Sequence, residues 1–271
     1  PLELDLLEGL LSLVDKSLLR QEESAEGEPR FGMLQVLRTF GLERVAEAEE
    51  SEATRQAHAQ YYLSLAQQAE PHLKGAEQAR WMAQLAQDYE NLRTALRFLL
   101  ERAGQSQPSR SLHAQQALDL SLALQWFWVT HNGYLPEGRA FLRQALASRQ
   151  ELGAERRAAA LLLAGNLAWA VGDFEETERF LAESVALYQG LNDKVGYATC
   201  LHRLGTTARV RTQYAQARQA LQEAAALFDE LGEGWKRGQC LTELARIATE
   251  AGQYEQARPL LAESLRLYEG L

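Results

Sequence analysis

The stretch "LAESVALYQGL" occupies residues 181–191, and a near-copy, "LAESLRLYEGL", occupies residues 261–271. Eight of the eleven positions are identical. Shifting the sequence against itself by 40 residues also superimposes Cys200 on Cys240 and "QYAQAR" (213–218) on "QYEQAR". The chain therefore repeats with a period of 40 residues over its last three copies, the earliest of which begins near Ala159.

Within each copy, apolar residues recur at helical spacing and short polar segments such as "EAGQ" (250–253) interrupt them. This pattern predicts a hairpin of two helices. A single hairpin cannot cover its own apolar face, so neighbouring hairpins must stack. We therefore predict an all-α fold built as an α-solenoid of helical hairpins.

Small residues recur at the positions where paired helices must approach closely. They are Gly165, Gly205 and Ala245 in the first helices and Ala217 and Ala257 in the second, with Phe174, Tyr214 and Tyr254 beginning the second helices. Thr177 replaces the usual alanine in the earliest of these copies. The pattern resembles the tetratricopeptide repeat, although a period of 40 exceeds the usual 34. An atypical earlier copy is predicted around "GYLPEGRAFLRQAL" (133–146), so the repeats extend over 112–271, as about 112–152, 155–191, 194–231 and 234–271.

The N-terminal region has a different pattern. Residues 51–111 are predicted to be a helical spacer. Before it, residues 1–50 contain a helical segment, the run "LLRQEE" (18–23), a turn "SAEGEP" (24–29), the run "RFGML" and a second helical segment. Helix, two-stranded wing and helix is the order of a partial winged-helix domain.

A more specific resemblance extends over the full chain. The segments that carry it are "LLSLVDKSLLR" (10–20), "RFGMLQVLRTFGLERV" (30–45), "HAQYYLSLA" (58–66), "DYENLRTAL" (88–96) and "GYLPEGR" (133–139). They are similar to the region after the nucleotide-binding module of bacterial STAND regulators, which are NB-ARC or AP-ATPase-like proteins. The resemblance implies an upstream ATPase core, a winged helix that packs on that core, and a helical-repeat sensor arm. Because the sequence starts at Pro1 and lacks GxxxxGK[ST], we expect it to be a piece of a longer protein with the nucleotide site elsewhere.

The composition argues against a membrane protein, a disulfide-rich protein and a direct nucleic-acid binder. The longest apolar run, 117–129, is interrupted by Asp119, Ser121 and Gln125, so no membrane helix is expected. Two cysteines cannot form a disulfide framework, and we expect a cytoplasmic protein. The net charge is −9, and residues 1–50 hold twelve acidic and five basic side chains. This charge argues against direct binding of nucleic acid.

The leading hypothesis is a sensor arm that binds a protein, peptide or small-molecule signal in a concave groove and controls the intramolecular nucleotide-binding domain. The tetratricopeptide resemblance places the groove on the first helix of each hairpin. It implies these groove residues: Phe127, His131, Asn166, Trp169, His202, Thr206, Arg209 and Arg246. Such donors beside an aromatic ring could hold a peptide carboxylate or an acidic side chain. The alternative for each is an ordinary role, with arginines on a solvated face and Trp169 in the core.

Two other interpretations stay open. The chain could be a passive scaffold for multiprotein assembly, or part of a DNA-binding transcriptional regulator, although Glu3, Asp5, Glu8 and Asp15 oppose Lys16 in the first helix. No pattern predicts an enzyme, a cofactor or a metal site. His58, His72 and His113 have no companion ligands nearby in sequence.

Overall fold

A computed structural model describes residues 6–23, 29–47, 51–105, 110–147 and 152–270. The chain divides into two compact units, Pro1–His58 and Ala59–Leu271. The predicted all-α class, with tetratricopeptide-like hairpins and one two-stranded sheet among the described residues, is confirmed.

The first unit contains the predicted order of helix, two strands and helix. These elements are α1 (Leu6–Asp15), β1 (Arg20–Glu23), β2 (Pro29–Gly32) and α2 (Gln35–Glu47). The strands are antiparallel, with Arg20 opposite Gly32 and Gln21 opposite Phe31. The predicted turn at 24–29 lies outside the described residues, except for Pro29, which begins β2. The first residues of the predicted first helix also lie outside the described residues.

The rest of the described chain is helical. The next elements are α3 (Ser51–Ala69), α4 (Gln78–Gln87), α5 (Tyr89–Gly104), α6 (Arg110–Ala123), α7 (Gln125–Thr130) and α8 (Leu135–Ala147). Three regular hairpins follow: α9 (Ala154–Ala170) with α10 (Phe174–Gly190), α11 (Lys194–Val210) with α12 (Tyr214–Glu230), and α13 (Gly234–Glu250) with α14 (Tyr254–Glu269). Each second helix also packs on the first helix of the next hairpin, α10 on α11 and α12 on α13.

Three-residue turns connect these six helices, and each turn has a middle residue in the left-handed region. The five middle residues are Gly172, Asn192, Thr212, Gly232 and Gly252, with φ between 55° and 78°. In each turn the backbone N–H of the residue after the middle one donates to the carbonyl oxygen five residues earlier, as Gln213 N does to Ala208 O at 2.8 Å. This is the Schellman ending of a helix, which satisfies carbonyls that the helix itself leaves free.

The small residues let the two helices of a hairpin approach closely. A Cβ placed on Gly165 would lie 2.9 Å from the Leu181 side chain, so glycine is required there at the present spacing. Ala217 and Ala257 are buried in the second helices. Thr177, the exception to the alanine pattern, is also buried, and its hydroxyl donates to Asp173 O at 2.8 Å. The hydroxyl is therefore satisfied by backbone.

One continuous core joins the helices from α3 to α9, with buried residues running from Ala59 to Leu167. It crosses the predicted boundary between spacer and repeats at 111/112, which stays a prediction. Smaller clusters fill the later hairpins. The three consecutive aromatics separate as helix geometry requires: Phe127 and Trp128 are completely buried, while Trp126 is partly exposed, with Lys74 Nζ 4.7 Å from the centre of its ring.

Candidate functional site

The first helices of the three regular hairpins carry a row of polar side chains that bond from one helix to the next. We call this set the polar row. Its members are Asn166 and Trp169 on α9, Arg203 and Arg209 on α11, and Glu243, Arg246 and Glu250 on α13. Four of them, Asn166, Trp169, Arg209 and Arg246, are among the groove residues predicted from the sequence.

Glu243 is the centre of the C-terminal half of the polar row. Arg209 Nε donates to its carboxylate at 2.7 Å, and Arg246 Nη1 donates to its other oxygen at 2.8 Å. Arg209 also donates to Glu250 at 2.6 Å. Burial alone would lower the pKa of Arg209, but its hydrogen bonds and charge interactions with both glutamates raise the pKa above the ordinary value. The predicted arginines are therefore neutralised within the protein and are not free cations.

Arg203 forms the N-terminal half of the polar row. Its Nε donates to Asn166 Oδ1 at 2.8 Å, and its Cζ lies 4.6 Å from the centre of the Trp169 ring. The planar guanidinium therefore contacts both an amide and an aromatic face of the preceding first helix. Asn166 and Trp169, predicted separately, are brought together by an arginine that the sequence analysis did not select.

His202 and Thr206 lie next to this contact on α11. The Thr206 side chain is buried, and its hydroxyl donates to the His202 carbonyl oxygen at 2.8 Å. Burial, and then the charge of Arg203, lowers the pKa of His202 to about 4. His202 is thus neutral at physiological pH.

Phe127 and His131 lie apart from the polar row, in the aromatic part of the large core. Phe127 is completely buried, with ring centroids 4.7 Å from His131, 5.2 Å from Tyr134 and 5.5 Å from Tyr89. The prediction that Phe127 lines an accessible groove is wrong for this conformation, because the rings around it exclude solvent. His131 is only partly buried and stacks on Phe127, so its groove role stays a prediction.

The sequence analysis missed Arg203, Glu243 and Glu250. The 40-residue register contains a signal that could have found the first two, because Leu163, Arg203 and Glu243 are equivalent positions. An apolar position that becomes charged in the later copies indicates a side chain that needs a polar or charged partner from its surroundings. Opposite charges about one repeat apart, such as Arg209 and Glu243, are then candidates for bonds between adjacent first helices.

The site supports recognition more readily than chemistry. Cys200 and Cys240 are buried free thiols, and burial raises their pKa values, to about 11 for Cys200 and about 12 for Cys240. Such thiols are poor nucleophiles. Across the parts of the chain that the structure describes, no cluster of three or more histidine, cysteine, aspartate or glutamate side chains could hold a metal ion.

Comparison with known families agrees with the hairpin geometry. A tetratricopeptide-repeat family model matches residues 156–230 and again 196–270. Residues 156–270 are tetratricopeptide repeats. This match covers α9 to α14 and with them the whole polar row.

Curated relatives and solved structures place the chain in a wider context. It is 29% identical over 141 residues to proteins named "Putative HTH-type transcriptional regulator" from Mycobacterium bovis and Mycobacterium tuberculosis. The match covers 52% of this chain and 14% of each relative, so the chain spans a small part of their length. The crystal structure of BtubC (BKLC) from P. vanneervenii is similar in fold, with a TM-score of 0.56 and 16% identity over 80% of this chain and 91% of that chain.

None of the described helices combines the length and the apolar character that a membrane crossing would need.

Proposed function

We propose that this chain is the signal-sensing, protein-interaction arm of a bacterial STAND-type signalling ATPase, with the polar row as part of its binding groove. The observation that carries the proposal is the bonding of polar side chains across three successive first helices. Tetratricopeptide repeats are protein-binding modules. A row of polar side chains on one set of helices gives such a module a surface on which a partner can form hydrogen bonds and ion pairs. The signal is a protein or peptide segment, or a small-molecule inducer.

The mixed exposure of the polar row supports a binding role. Glu243 is nearly buried, whereas the side chain of Arg246 is 57% exposed. The buried members fix the positions of the exposed ones, and pre-ordered side chains lose less conformational entropy on binding. Three arginines and two glutamates leave the row with one excess positive charge. A partner with a negative group is favoured.

The first unit supports the regulatory half of the proposal. Its order of helix, two strands and helix is that of a partial winged helix, which we propose for residues 1–50, with 51–111 as spacer and 112–271 as repeats. Four apolar side chains of this unit, Met33, Leu34, Val36 and Phe40, are exposed by 41% to 81%. An exposed apolar patch of this kind marks a contact surface, and we assign it to the nucleotide-binding core.

The test uses the longer protein of which we expect this chain to be a piece, called the parent below. Under the proposal, the sequence encoded before residue 1 contains a GxxxxGK[ST] loop, and the purified parent hydrolyses ATP. Removing residues 154–270 should change the ATP turnover at least threefold, because the arm restrains or releases the core. A parent without this loop, or with the same turnover after the deletion, would refute the regulatory role.

A passive assembly scaffold is the second candidate, and the repeats themselves favour it. A scaffold binds partners through the same groove without altering the parent's ATP turnover. Adding a partner that binds the parent separates the two functions. A turnover that follows partner occupancy supports the sensor, and an unchanged turnover with full occupancy supports the scaffold.

The names of the mycobacterial relatives favour a third candidate, a region of a DNA-binding regulator. The excess of acidic side chains in residues 1–50 argues against direct DNA contact by this region. We therefore expect this chain alone to give no change in fluorescence anisotropy with a labelled 30-base-pair duplex at low salt. Salt-dependent binding by residues 1–58 would instead favour direct DNA recognition.

A further inference from the structure

Arg203 differs from every other basic side chain on the first helices of the regular hairpins. Within the described segment 152–270, these helices carry eight lysines and arginines, and seven of them form an ion pair with a carboxylate: Arg156, Arg157, Lys194, Arg209, Lys236, Arg237 and Arg246. Arg203 forms none there. It bonds instead to the Asn166 amide and lies over the Trp169 ring.

The contacts of Arg203 leave most of its donors unused. Nε is taken by Asn166, whereas the two terminal amino groups have no acceptor among the residues that the structure describes. They are also not among the fully buried polar atoms of that part of the chain. A guanidinium presents its terminal N–H groups as a planar fork that fits a carboxylate. Arg203 therefore holds an open pair of donors in a fixed orientation.

The charges around Arg203 favour a ligand group with a single negative charge. Burial lowers the pKa of Arg203, with the nearby charge of Glu243 acting in the opposite direction, so the cation is partly desolvated and incompletely compensated. Glu243 itself is occupied by Arg209 and Arg246. An incoming carboxylate would complete the charge balance of the polar row, whereas a dianionic phosphate would leave one negative charge in excess beside two glutamates.

We propose that Arg203, held by Asn166 and Trp169, is a binding subsite for the carboxylate of an acidic side chain in an extended peptide segment of the partner. This inference rests on the proposed role of the groove in binding a protein. It adds the residue and the chemical class that the groove recognises. Asn166 and Trp169 are positioning residues, since they act on the ligand through the orientation of the guanidinium.

The probe is a synthetic hexaglutamate peptide with blocked termini, titrated into the chain labelled with ¹⁵N. The side-chain Nε–H signal of Arg203 and the indole signal of Trp169 should shift together and saturate. Hexaglutamine with the same blocked termini should shift neither. Inorganic phosphate and hexaglutamate with a free C-terminus serve as two further arms. A response to phosphate equal to that of the peptide, or one confined to the free C-terminus, would contradict the assignment to an acidic side chain.

Three variants complete the test. Arg203→Gln should weaken hexaglutamate binding at least fivefold, and Arg203→Lys, which keeps the charge but loses the planar fork, should weaken it less. The matched control is Arg157→Gln, an arginine on the neighbouring first helix paired with Glu183, which should change the affinity less than twofold. Unchanged far-UV circular dichroism shows that a variant is folded. If Arg203→Gln unfolds, the affinity of Arg203→Lys and the shift of the Arg203 signal in the wild type decide the outcome.

Equal affinity of the folded Arg203 variants and the wild type would overturn the subsite, as would saturation without a shift at Arg203. Neither result would affect the regulatory proposal, which is measured by the ATP turnover of the parent. Conversely, a parent without ATPase activity would refute the regulatory role but not the carboxylate subsite, which would then belong to the groove of a scaffold.

Discussion

Gly205 on α11 lies directly against Leu221 on α12, so closely that a Cβ on Gly205 would be 2.6 Å from Leu221 Cγ and 3.2 Å from the Ala217 carbonyl oxygen. The equivalent Gly165 has the same relationship to Leu181. In these two hairpins the spacing of the paired helices is therefore set by the absence of one methyl group.

The first prediction follows from this contact. Gly205→Ala should lower the free energy of unfolding by about 1 to 3 kcal/mol, because the helices or the Leu221 side chain must shift to admit the methyl group. Urea denaturation followed by circular dichroism at 222 nm measures the change. The control is Gly190→Ala at the end of α10, where nothing lies within 4 Å of the added Cβ. Equal losses in both variants would contradict the close approach.

Thr212 is a β-branched residue with φ of 61°, at a turn position where Gly172 and Gly252 stand in the other two hairpins. The left-handed region is costly for such side chains. Thr212→Gly should raise the free energy of unfolding by about 1 kcal/mol, even after the greater entropy loss of glycine on folding. The reverse change, Gly252→Thr, should lower it by a similar amount in the same urea experiment. A destabilised Thr212→Gly variant would mean that the hydrogen bond of the hydroxyl to the Arg211 carbonyl outweighs the backbone strain.

Glu243 holds two arginines from two helices. Glu243→Gln should lower the free energy of unfolding by about 2 kcal/mol, because the largely buried side chain of Arg209 loses the charge that compensates it. Glu250→Gln is the matched control, since Glu250 contacts the same arginine from a more exposed position and should cost less than about 1 kcal/mol. Thermal unfolding at low and moderate salt compares the two. A Glu243→Gln variant as stable as the wild type would show that the ion pairs contribute nothing net.

The pH dependence of stability should report on His202. Its pKa falls from an ordinary value of 6.5 to about 4 in the folded protein, because of burial and then of the Arg203 charge. Below pH 6.5 the unfolded chain gains a proton that the folded chain does not, so stability is lost as the pH falls towards 4. Between pH 6.5 and 5 the loss from this group should be about 1.5 kcal/mol.

The measurement is a series of urea denaturations at pH 7.5, 6.5, 5.8 and 5.0 for the wild type and His202→Gln. The variant should show the smaller decrease over this range. Parallel curves for the two proteins would mean that His202 is protonated in the folded state as readily as in the unfolded chain.

The sequence by itself determined the hairpins. A period of 40 residues, helical spacing of apolar residues, and small residues at Gly165, Gly205 and Ala217 together predicted the helices, the turns and the faces that meet. These features could be predicted because each is local or is repeated, so that every copy must solve the same packing problem. The second helix of each hairpin begins at the predicted aromatic residue, Phe174, Tyr214 or Tyr254.

Only the tertiary structure decided which side chains form the candidate site. Phe127 and Trp128 lie in the core and Trp126 lies at its edge, a choice that the spacing of three consecutive residues could not make. Likewise, the partners of Arg203 and Arg209 depend on how far the neighbouring first helix is displaced along its axis. Spacing within one helix fixes the face on which a side chain lies, whereas a hydrogen bond between helices depends on ångström-scale offsets that packing sets.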